Sequence, residues 1–227
     1  MAMGARVDPV DAPPDARPRV ALEAVQDGGV TFDRVREAAA GCQACDLWAR
    51  ATQTVFGAGP VPARLMLVGE QPGDKEDLAG EPFVGPAGGM LARGLEEAGI
   101  DREAAFVTNV VKHFKWRPTP GGKRRLHEKP NKVEVGACLP WVESELALVK
   151  PEALVLLGAT AAGALAGPNV LVTRDRGKPL PIDLAPLVVA TVHPSSILRA
   201  GPGRDEAYLA FVRDLRAVSR WLERSKA

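Results

Sequence analysis

The run RLMLVG at residues 64–69 is short, continuous and apolar, which is typical of a buried β-strand. Three further runs share this character: residues 105–111 (AFVTNVV), 153–158 (ALVLLG) and 187–193 (LVVATVH). Helical patterns occupy the intervals between the runs and the end of the chain, at residues 86–98, 132–149, 159–166 and 205–223. Strands that alternate with helices predict a mostly parallel central sheet between two layers of helices, a three-layer α/β/α fold.

Composition limits the class of protein. Residues 1–30 are rich in Ala, Pro, Asp and Arg without periodicity, so we expect a mobile leader there and a single domain over residues 31–227, with Thr31 capping its first helix. The 29 basic and 28 acidic side chains argue against a wholly electrostatic nucleic-acid binder, although a local basic patch stays possible. No apolar run approaches the roughly 20 residues of a membrane span, and no secretory signal pattern occurs. Three cysteines are too few for a disulfide scaffold. We therefore expect a cytoplasmic protein without a membrane partner, and nothing in the sequence requires more than a monomer.

Polar side chains follow three of the predicted strands. Glu70 follows the first strand, Asn109 closes the second, and His193 closes the last. Ligands of open α/β sheets bind beyond the carboxyl ends of the strands. The sequence therefore predicts one cleft that receives a carboxylate, an amide and an imidazole.

The loop GEQPGDKEDLAGEPFVGPAG at residues 69–88 is dense in Gly and Pro, which predicts a tight, stiff turn. Glu70 and Asp74 can stabilise a developing cation or position water, and Phe83 offers a flat face for stacking. The alternative is an ordinary turn between strand and helix with solvated acids. The loop is not a P-loop, because the Lys-Ser/Thr ending is absent.

The stretch KHFKWRPTPGGKRRLHEKPNK at residues 112–132 carries eight basic residues against the single acid Glu128. A patch of this kind suits contact with phosphates, and Phe114 and Trp116 are placed to stack on bases. The alternative is a solvated flexible loop. The basic residues are Lys112, Lys115, Arg117, Lys123, Arg124, Arg125, Lys129 and Lys132.

Cys42 and Cys45 have the spacing of a common metal-ligand pair. Cys138 is the remaining thiol, so a fourth ligand would have to be another residue type, with His113, His127 and His193 as candidates. A redox dithiol or buried free cysteines are the alternatives.

The last candidate segment is HPSS at residues 193–196. Pro194 favours an extended backbone at His193, which would project the ring from the strand end. Ser195 and Ser196 can cap the next helix or donate to a phosphate. A lone His at a strand end is more often structural, but its predicted position beside Glu70 and Asn109 favours a functional role.

Together these motifs resemble the uracil-DNA glycosylase superfamily. The loop GE-x-PG-x-x-ED, Asn109 within VTN and the HPSS segment look like family 4 motifs. KRRLH at residues 123–127 looks like the insertion of the UdgX branch, whose members crosslink themselves to uracil-containing DNA. The resemblance runs from about residue 35 to residue 222.

For the base, the resemblance implies that Phe83 stacks on an extruded uracil and that Asn109 reads its polar edge. It also implies that the Gln71 backbone and His193 contact the uracil carbonyl on which negative charge accumulates.

For the sugar, the resemblance implies that Glu70 orients the reacting group and that His127 is the nucleophile that bonds the anomeric carbon. Arg125 and Arg199 would hold the loop or the DNA strand. Nearby cations would disfavour the imidazolium form of His127, and Glu70 and bound phosphates would oppose that effect. Those cations are Lys123, Arg124, Arg125 and Lys129.

The resemblance also implies a [4Fe-4S] cluster ligated by Cys42, Cys45, His113 and Cys138, and we expect a structural rather than a redox role for it. Ordinary family 4 enzymes carry Cys where this chain has His113 and lack the KRRLH insertion, which favours the crosslinking branch. Two alternatives stay open: a conventional turnover uracil-DNA glycosylase that leaves an abasic site, and a non-catalytic iron–sulfur binder of nucleic acids.

Overall fold

A computed structural model describes residues 7–122 and 124–225. Its strands, in chain order, are β1 Leu65–Gly69, β2 Ala105–Asn109, β3 Trp116–Pro118, β4 Arg125–His127, β5 Ala153–Leu157 and β6 Leu187–Thr191. Its helices are α1 Arg17–Gln26, α2 Phe32–Ala40, α3 Asp74–Ala79, α4 Pro86–Glu97, α5 Lys132–Val149, α6 Ala159–Leu165, α7 Val172–Asp175, α8 Pro194–Leu198 and α9 Arg204–Arg224, with short 3₁₀ turns at Asp46–Ala49 and Gly201–Gly203.

The central sheet has the strand order β2-β1-β5-β6, and every neighbouring pair is parallel. Its four strands are the four that the apolar runs predict, so the expectation of a parallel sheet is confirmed. β3 and β4 form a separate antiparallel hairpin, in which Trp116 pairs with His127. The basic stretch therefore contains a shaped hairpin.

Residues of β1 alternate between the two faces of the sheet, as the pleat of a strand requires. Leu65 and Leu67 pack in a cluster with apolar residues of α4 and α9, whereas Met66 and Val68 pack in a second cluster with residues of α5 and α6. Both faces of the sheet are thus covered by helices, which confirms the three-layer architecture.

The N-terminal segment differs from the expected leader. Residues 17–26 form α1, and its buried Ala21 and Val25 pack in one cluster with Trp141 of α5. The spacing of these small apolar side chains is helical, but the surrounding Pro and Asp residues hide the pattern. Residues 1–6 lie outside the described residues. α2 begins as expected, with Thr31 Oγ1 accepting a hydrogen bond from the Arg34 amide at 3.4 Å.

Helices of membrane-spanning length and apolarity do not occur in the part of the chain that the structure describes.

Candidate active site

Gly69 ends β1 at the point where side chains from three other segments meet. A β-carbon on Gly69 would lie 2.4 Å from Asn109 Oδ1, 2.8 Å from the ring of Phe83 and 3.4 Å from His193 Nε2. Distances below about 3 Å leave no room for a methyl group, so only glycine fits here. The structure therefore brings together the predicted amide, aromatic ring and imidazole around one strand end.

Phe83 adopts an unusual backbone conformation. Its φ of 59° lies in the left-handed region, which is strained for a bulky side chain and is typical of functional sites. The ring stacks at 28° to the imidazole of His193, with 6.1 Å between the ring centroids. Gly88 permits this conformation, because a β-carbon there would lie 1.7 Å from the Phe83 carbonyl oxygen.

Glu76 closes the loop that carries Phe83. Its carboxylate accepts hydrogen bonds from the amide of Gly73 at 3.1 Å and from the amide of Gly85 at 2.7 Å. The side chain is buried, with 7% of its residue surface exposed. The two ends of the loop are thus tied by one acid, which agrees with the stiff turn expected from Gly and Pro. Sequence reasoning gave Glu76 no role of its own.

His193 is held as a neutral hydrogen-bond donor. The Ser195 amide donates to His193 Nδ1 at 3.2 Å, so in the neutral ring the proton is on Nε2, the atom nearest Gly69. Burial is the main cause that lowers the pKa of His193 to about 4, and the charges of Arg199 and His127 contribute to the same shift. The ring is therefore uncharged at neutral pH.

Ser195 serves the imidazole in this structure. Its hydroxyl lies 2.8 Å from His193 Nδ1, and its amide donates to the same atom. His193, rather than either serine, caps α8. The Ser196 hydroxyl donates to the His193 carbonyl at 2.7 Å. The expected extended backbone at His193 is observed, with φ −72° and ψ 134°.

His127 lies beside Glu70, with 3.4 Å between Nε2 and Oε1. The other oxygen of Glu70 accepts a hydrogen bond from the Thr160 hydroxyl. Half of the His127 side chain is exposed, against 22% of the Glu70 side chain. Sequence reasoning missed Thr160, although it follows β5 and so lies at the same carboxyl edge of the sheet.

Burial is the main cause that lowers the pKa of His127, and Arg199 lowers it further, while Glu70 opposes the shift. The direction agrees with the expectation of an uncharged imidazole, but the cation differs. Arg199 follows α8, whereas the sequence pointed to the hairpin cations Arg124, Arg125 and Lys129. Lys123, the fourth of them, lies outside the described residues.

Gln71 binds the base of the hairpin. Its side-chain amide donates to the carbonyls of Lys115 at 3.2 Å and Glu128 at 2.9 Å, and its oxygen accepts from the Lys115 amide at 3.2 Å. Glu128 directly follows His127 in the chain. One side chain therefore holds both hairpin strands next to Glu70, a contact that the expected role of the Gln71 backbone did not include.

Arg125 joins the hairpin to α3. Its guanidinium donates to Asp74 and to the buried Asp77 at 2.5 Å each, and to the Thr52 hydroxyl at 3.2 Å. The carboxylate of Asp74 is thus bound to Arg125. The sequence assigns no individual role to Asp77, which lies within the quoted loop motif, or to Thr52, because their partner Arg125 is distant in the chain.

The aromatic side chains of the hairpin are not free stacking surfaces. Phe114 is buried, and the guanidinium of Arg125 lies 5.4 Å from its ring centroid. The Trp116 ring contacts two guanidinium groups, with its centroid 4.8 Å from that of Arg50 and 5.5 Å from that of Arg125. The expectation that these rings stack on bases is therefore not supported; both anchor the hairpin.

The basic patch is smaller than the sequence count indicates. Four of its members are in ion pairs within the chain: Lys112, Lys115, Arg117 and Arg125. Lys112 is fully buried. Arg124, Lys129 and Lys132 are exposed and form no ion pair with another described residue, so they are the cations best placed for phosphates.

The predicted cluster ligands lie on three segments that meet beside α5. Cys42 and Cys138 are buried, and the Trp141 indole donates to Cys42 Sγ at 3.3 Å. Interactions with Cys138 and His113 lower the pKa of Cys45 to about 5. Those contacts bring Cys45, Cys138 and His113 together.

His113 offers a vacant donor atom at this place. Its Nε2 lies 2.9 Å from Thr54 Oγ1, and its Nδ1 is buried without a hydrogen-bond partner. A buried orphan nitrogen beside thiols fits a metal-ligand role. Within the described ranges, however, no three His, Cys, Asp or Glu side chains converge closely enough to bind a single metal ion. A cluster spreads its ligands over several irons, so the donor set suits a cluster better than one ion.

Comparison with known proteins gives consistent matches. Residues 56–216 match the family described as the uracil DNA glycosylase superfamily. A type-4 uracil-DNA glycosylase of Thermotoga maritima is 38% identical over 171 residues, which cover 75% of this chain and 82% of that protein. The type-4 uracil-DNA glycosylase of Archaeoglobus fulgidus is 35% identical over 181 residues, or 77% and 86% of the two chains. That of Sulfurisphaera tokodaii is 36% identical over 129 residues, or 56% and 54%.

Proposed function

Because this chain belongs to the uracil-DNA glycosylase superfamily, we propose that it excises uracil from DNA, with single strands preferred, as part of DNA repair. The observation that carries the proposal is the meeting of Phe83, Asn109 and His193 at Gly69, which we interpret as a cleft for the base. Uracil must leave the base stack to enter such a cleft, which costs a few kcal/mol and least in a single strand. Nothing in the proposal needs a second copy of the chain.

In this proposal the base is recognised from its face and from its edge. Phe83 stacks on the flat face of uracil, while the side-chain amide of Asn109 pairs with its polar edge. The amide both donates and accepts hydrogen bonds, as that edge requires. The strained backbone of Phe83 supports this role, because strain of this kind is kept where a fixed ring position is useful.

Departure of the base leaves negative charge on uracil. His193 Nε2–H, held in that tautomer by Ser195, donates to the carbonyl oxygen where the charge collects. The Gln71 backbone is a second contact to that oxygen. A neutral imidazole suits this task, since it keeps its proton while stabilising the anion.

The sugar becomes electron-poor as uracil leaves, and Glu70 and His127 face it together. We propose that the unprotonated ring nitrogen of His127 bonds the anomeric carbon while the bond from that carbon to uracil N1 breaks. Uracil takes the electron pair, and the imidazolium releases its remaining proton to solvent. The carboxylate of Glu70, held by Thr160, favours both cationic species.

A conventional turnover reaction is the second candidate. In it, water attacks the sugar in place of His127, and an abasic site is left. The observation that favours it is that each relative described above is named a type-4 uracil-DNA glycosylase. The 50% exposure of the His127 side chain also leaves room for water. Excision of uracil is common to both candidate reactions, and the adduct with His127, as in the UdgX branch, is the more specific part of the proposal.

A [4Fe-4S] cluster is the cofactor we propose. Cys42, Cys45, His113 and Cys138 would hold it, and the buried, unpartnered Nδ1 of His113 supports that set. The cluster would supply a covalent tie between the N-terminal segment, the base of the hairpin and α5. An iron-containing brown protein is expected, and Cys45→Ser should lower its iron content; a colourless protein that holds zinc would contradict this assignment.

A denaturing gel tests the reaction. The purified protein is incubated with a uracil-containing single strand and with the same strand containing thymine. A heat- and SDS-resistant protein–DNA band with the uracil strand only supports the His127 adduct. Alkali-labile abasic product without a band selects the turnover reaction, and equal binding of both strands without uracil release contradicts excision.

His127→Ser should remove the band and restore release of an abasic site, because a small side chain admits water. Lys129→Ser is the matched control, since Lys129 is exposed, lies two residues away and forms no ion pair with another described residue. The control should still form the band, at a rate lowered by at most the loss of one phosphate contact.

A further inference from the structure

A fully buried ion pair lies beneath the end of β2. Lys112 Nζ and Glu145 Oε2 are 2.7 Å apart, and both side chains have 0% exposure. Neither residue faces the cleft, and neither takes part in the reaction proposed above.

The pair is bonded to the two residues that end β2. Lys112 Nζ donates to the hydroxyl of Thr108 at 2.6 Å and to the backbone carbonyl of Asn109 at 2.8 Å. Glu145 Oε1 accepts from the Thr108 hydroxyl at 3.0 Å and from the Gly57 amide at 2.9 Å. The ion pair thus holds Thr108 through its side-chain hydroxyl and Asn109 through its backbone carbonyl.

Such a pair is an expensive way to hold a fold together. Removing two charges from water costs several kcal/mol per ion, and apolar side chains of similar volume often stabilise a protein as well or better. A contribution to stability therefore does not explain why this buried ion pair occurs. A role in positioning explains it better, because hydrogen bonds fix both the position and the direction of a backbone carbonyl.

Asn109 is the residue whose position this arrangement controls. Successive strand residues point to opposite faces of a sheet. Because the ion pair holds the Thr108 side chain on one face, the Asn109 side chain is directed to the other face, where it lies close to Gly69. Its Oδ1 is already close to the strand end, so a small movement of the backbone would misalign the amide with the base. Misplacement by about 1 Å can cost roughly 100-fold in rate.

We propose that Lys112 and Glu145 are positioning residues that set the uracil specificity of the site by fixing Asn109. The proposal rests on the proposed function, because it requires that Asn109 reads the base. The ion pair acts through hydrogen bonds to the backbone and never touches the substrate.

The test replaces both charges at once with apolar side chains of similar volume. Lys112→Met with Glu145→Leu leaves no unpaired buried charge. The control makes the same kind of change at the other end of the sheet, Arg64→Met with Glu152→Leu, where the two side chains are joined at 2.6 Å. Thermal unfolding and iron content are measured for both proteins, since Lys112 adjoins the proposed ligand His113.

Inhibition by free uracil is the decisive readout, because it reports on the base site alone. We expect the inhibition constant to rise at least tenfold in the Lys112/Glu145 protein, with binding of a thymine strand unchanged. The control should change less than twofold. Thr108→Val removes only the bridging hydroxyl and should raise the inhibition constant about two- to fivefold. This variant tests the positioning role if the double variant does not fold.

A mutant cycle that combines the apolar pair with Asn109→Ala tests whether the ion pair acts through Asn109. If Lys112 and Glu145 act through Asn109, the apolar pair has no further effect on uracil excision once Asn109 is Ala. A folded double variant with an unaltered inhibition constant overturns the inference, and so does a full additional loss in the Asn109→Ala protein. An unaltered protein that neither releases uracil nor bonds the uracil-containing strand overturns the proposed function instead.

Discussion

The neutral state of His193 makes a sharp prediction for stability against pH. The pKa of the ring is about 4 in the folded protein, against an ordinary value of 6.5. The folded protein therefore binds fewer protons than the unfolded chain between these two values. Stability linked to His193 is present above pH 6.5 and is lost as the pH falls toward 4.

The size of the effect follows from the two pKa values. Linkage gives a loss of about 2 kcal/mol in the free energy of unfolding between pH 7 and pH 5. His193→Gln removes the titrating group and keeps a side chain that can donate a hydrogen bond. The variant should therefore lose about 2 kcal/mol less than the unaltered protein over this range.

Urea unfolding at pH 7 and at pH 5 measures the difference, because the other titrating groups are common to both proteins. His127→Gln is the control; the His127 imidazole is half exposed, so its smaller shift should give a smaller difference. Equal losses of stability in the His193→Gln and unaltered proteins would refute the assignment of a neutral, largely enclosed imidazole.

Three further changes test the remainder of the site. Arg199→Gln removes a cation that lowers the pKa of His127. The acid limb of the rate–pH profile of adduct formation or excision should therefore move to higher pH. Arg124→Gln is the control and should leave the acid limb in place. Gln71→Ala removes the hydrogen bonds at the base of the hairpin; single-turnover assays should show a rate reduced about tenfold or more, with the melting temperature little changed. Gly69→Ala puts a methyl group into the base site, and the same assay should show a loss of about 100-fold or more in a protein that still folds.

Much of the site could be predicted from strand ends alone. Glu70, Asn109 and His193 follow apolar runs, and the parallel order of the strands brings them to one edge. Thr160 follows the same rule after β5. These positions depend on periodicity and topology, which a sequence displays directly.

Other features depend on contacts between distant segments, which the sequence does not display. A count of basic residues includes Lys112, yet its partner Glu145 is 33 residues away and the pair is buried. Arg125 forms ion pairs with Asp74 and Asp77 of α3, which lie about 50 residues earlier in the chain. The helix α1 was missed because its buried face consists of small side chains, which give a weak apolar signal.

The β3–β4 hairpin has its own hydrogen-bonded sheet, separate from the four-stranded sheet whose strand ends carry Gly69 and Asn109. Its attachment is made by side chains at a few points, chiefly Gln71 and Arg125. A change in these few contacts would therefore move the hairpin while the strand ends of the central sheet kept their positions. The base recognition and the sugar reaction proposed above would then depend on separate parts of the structure.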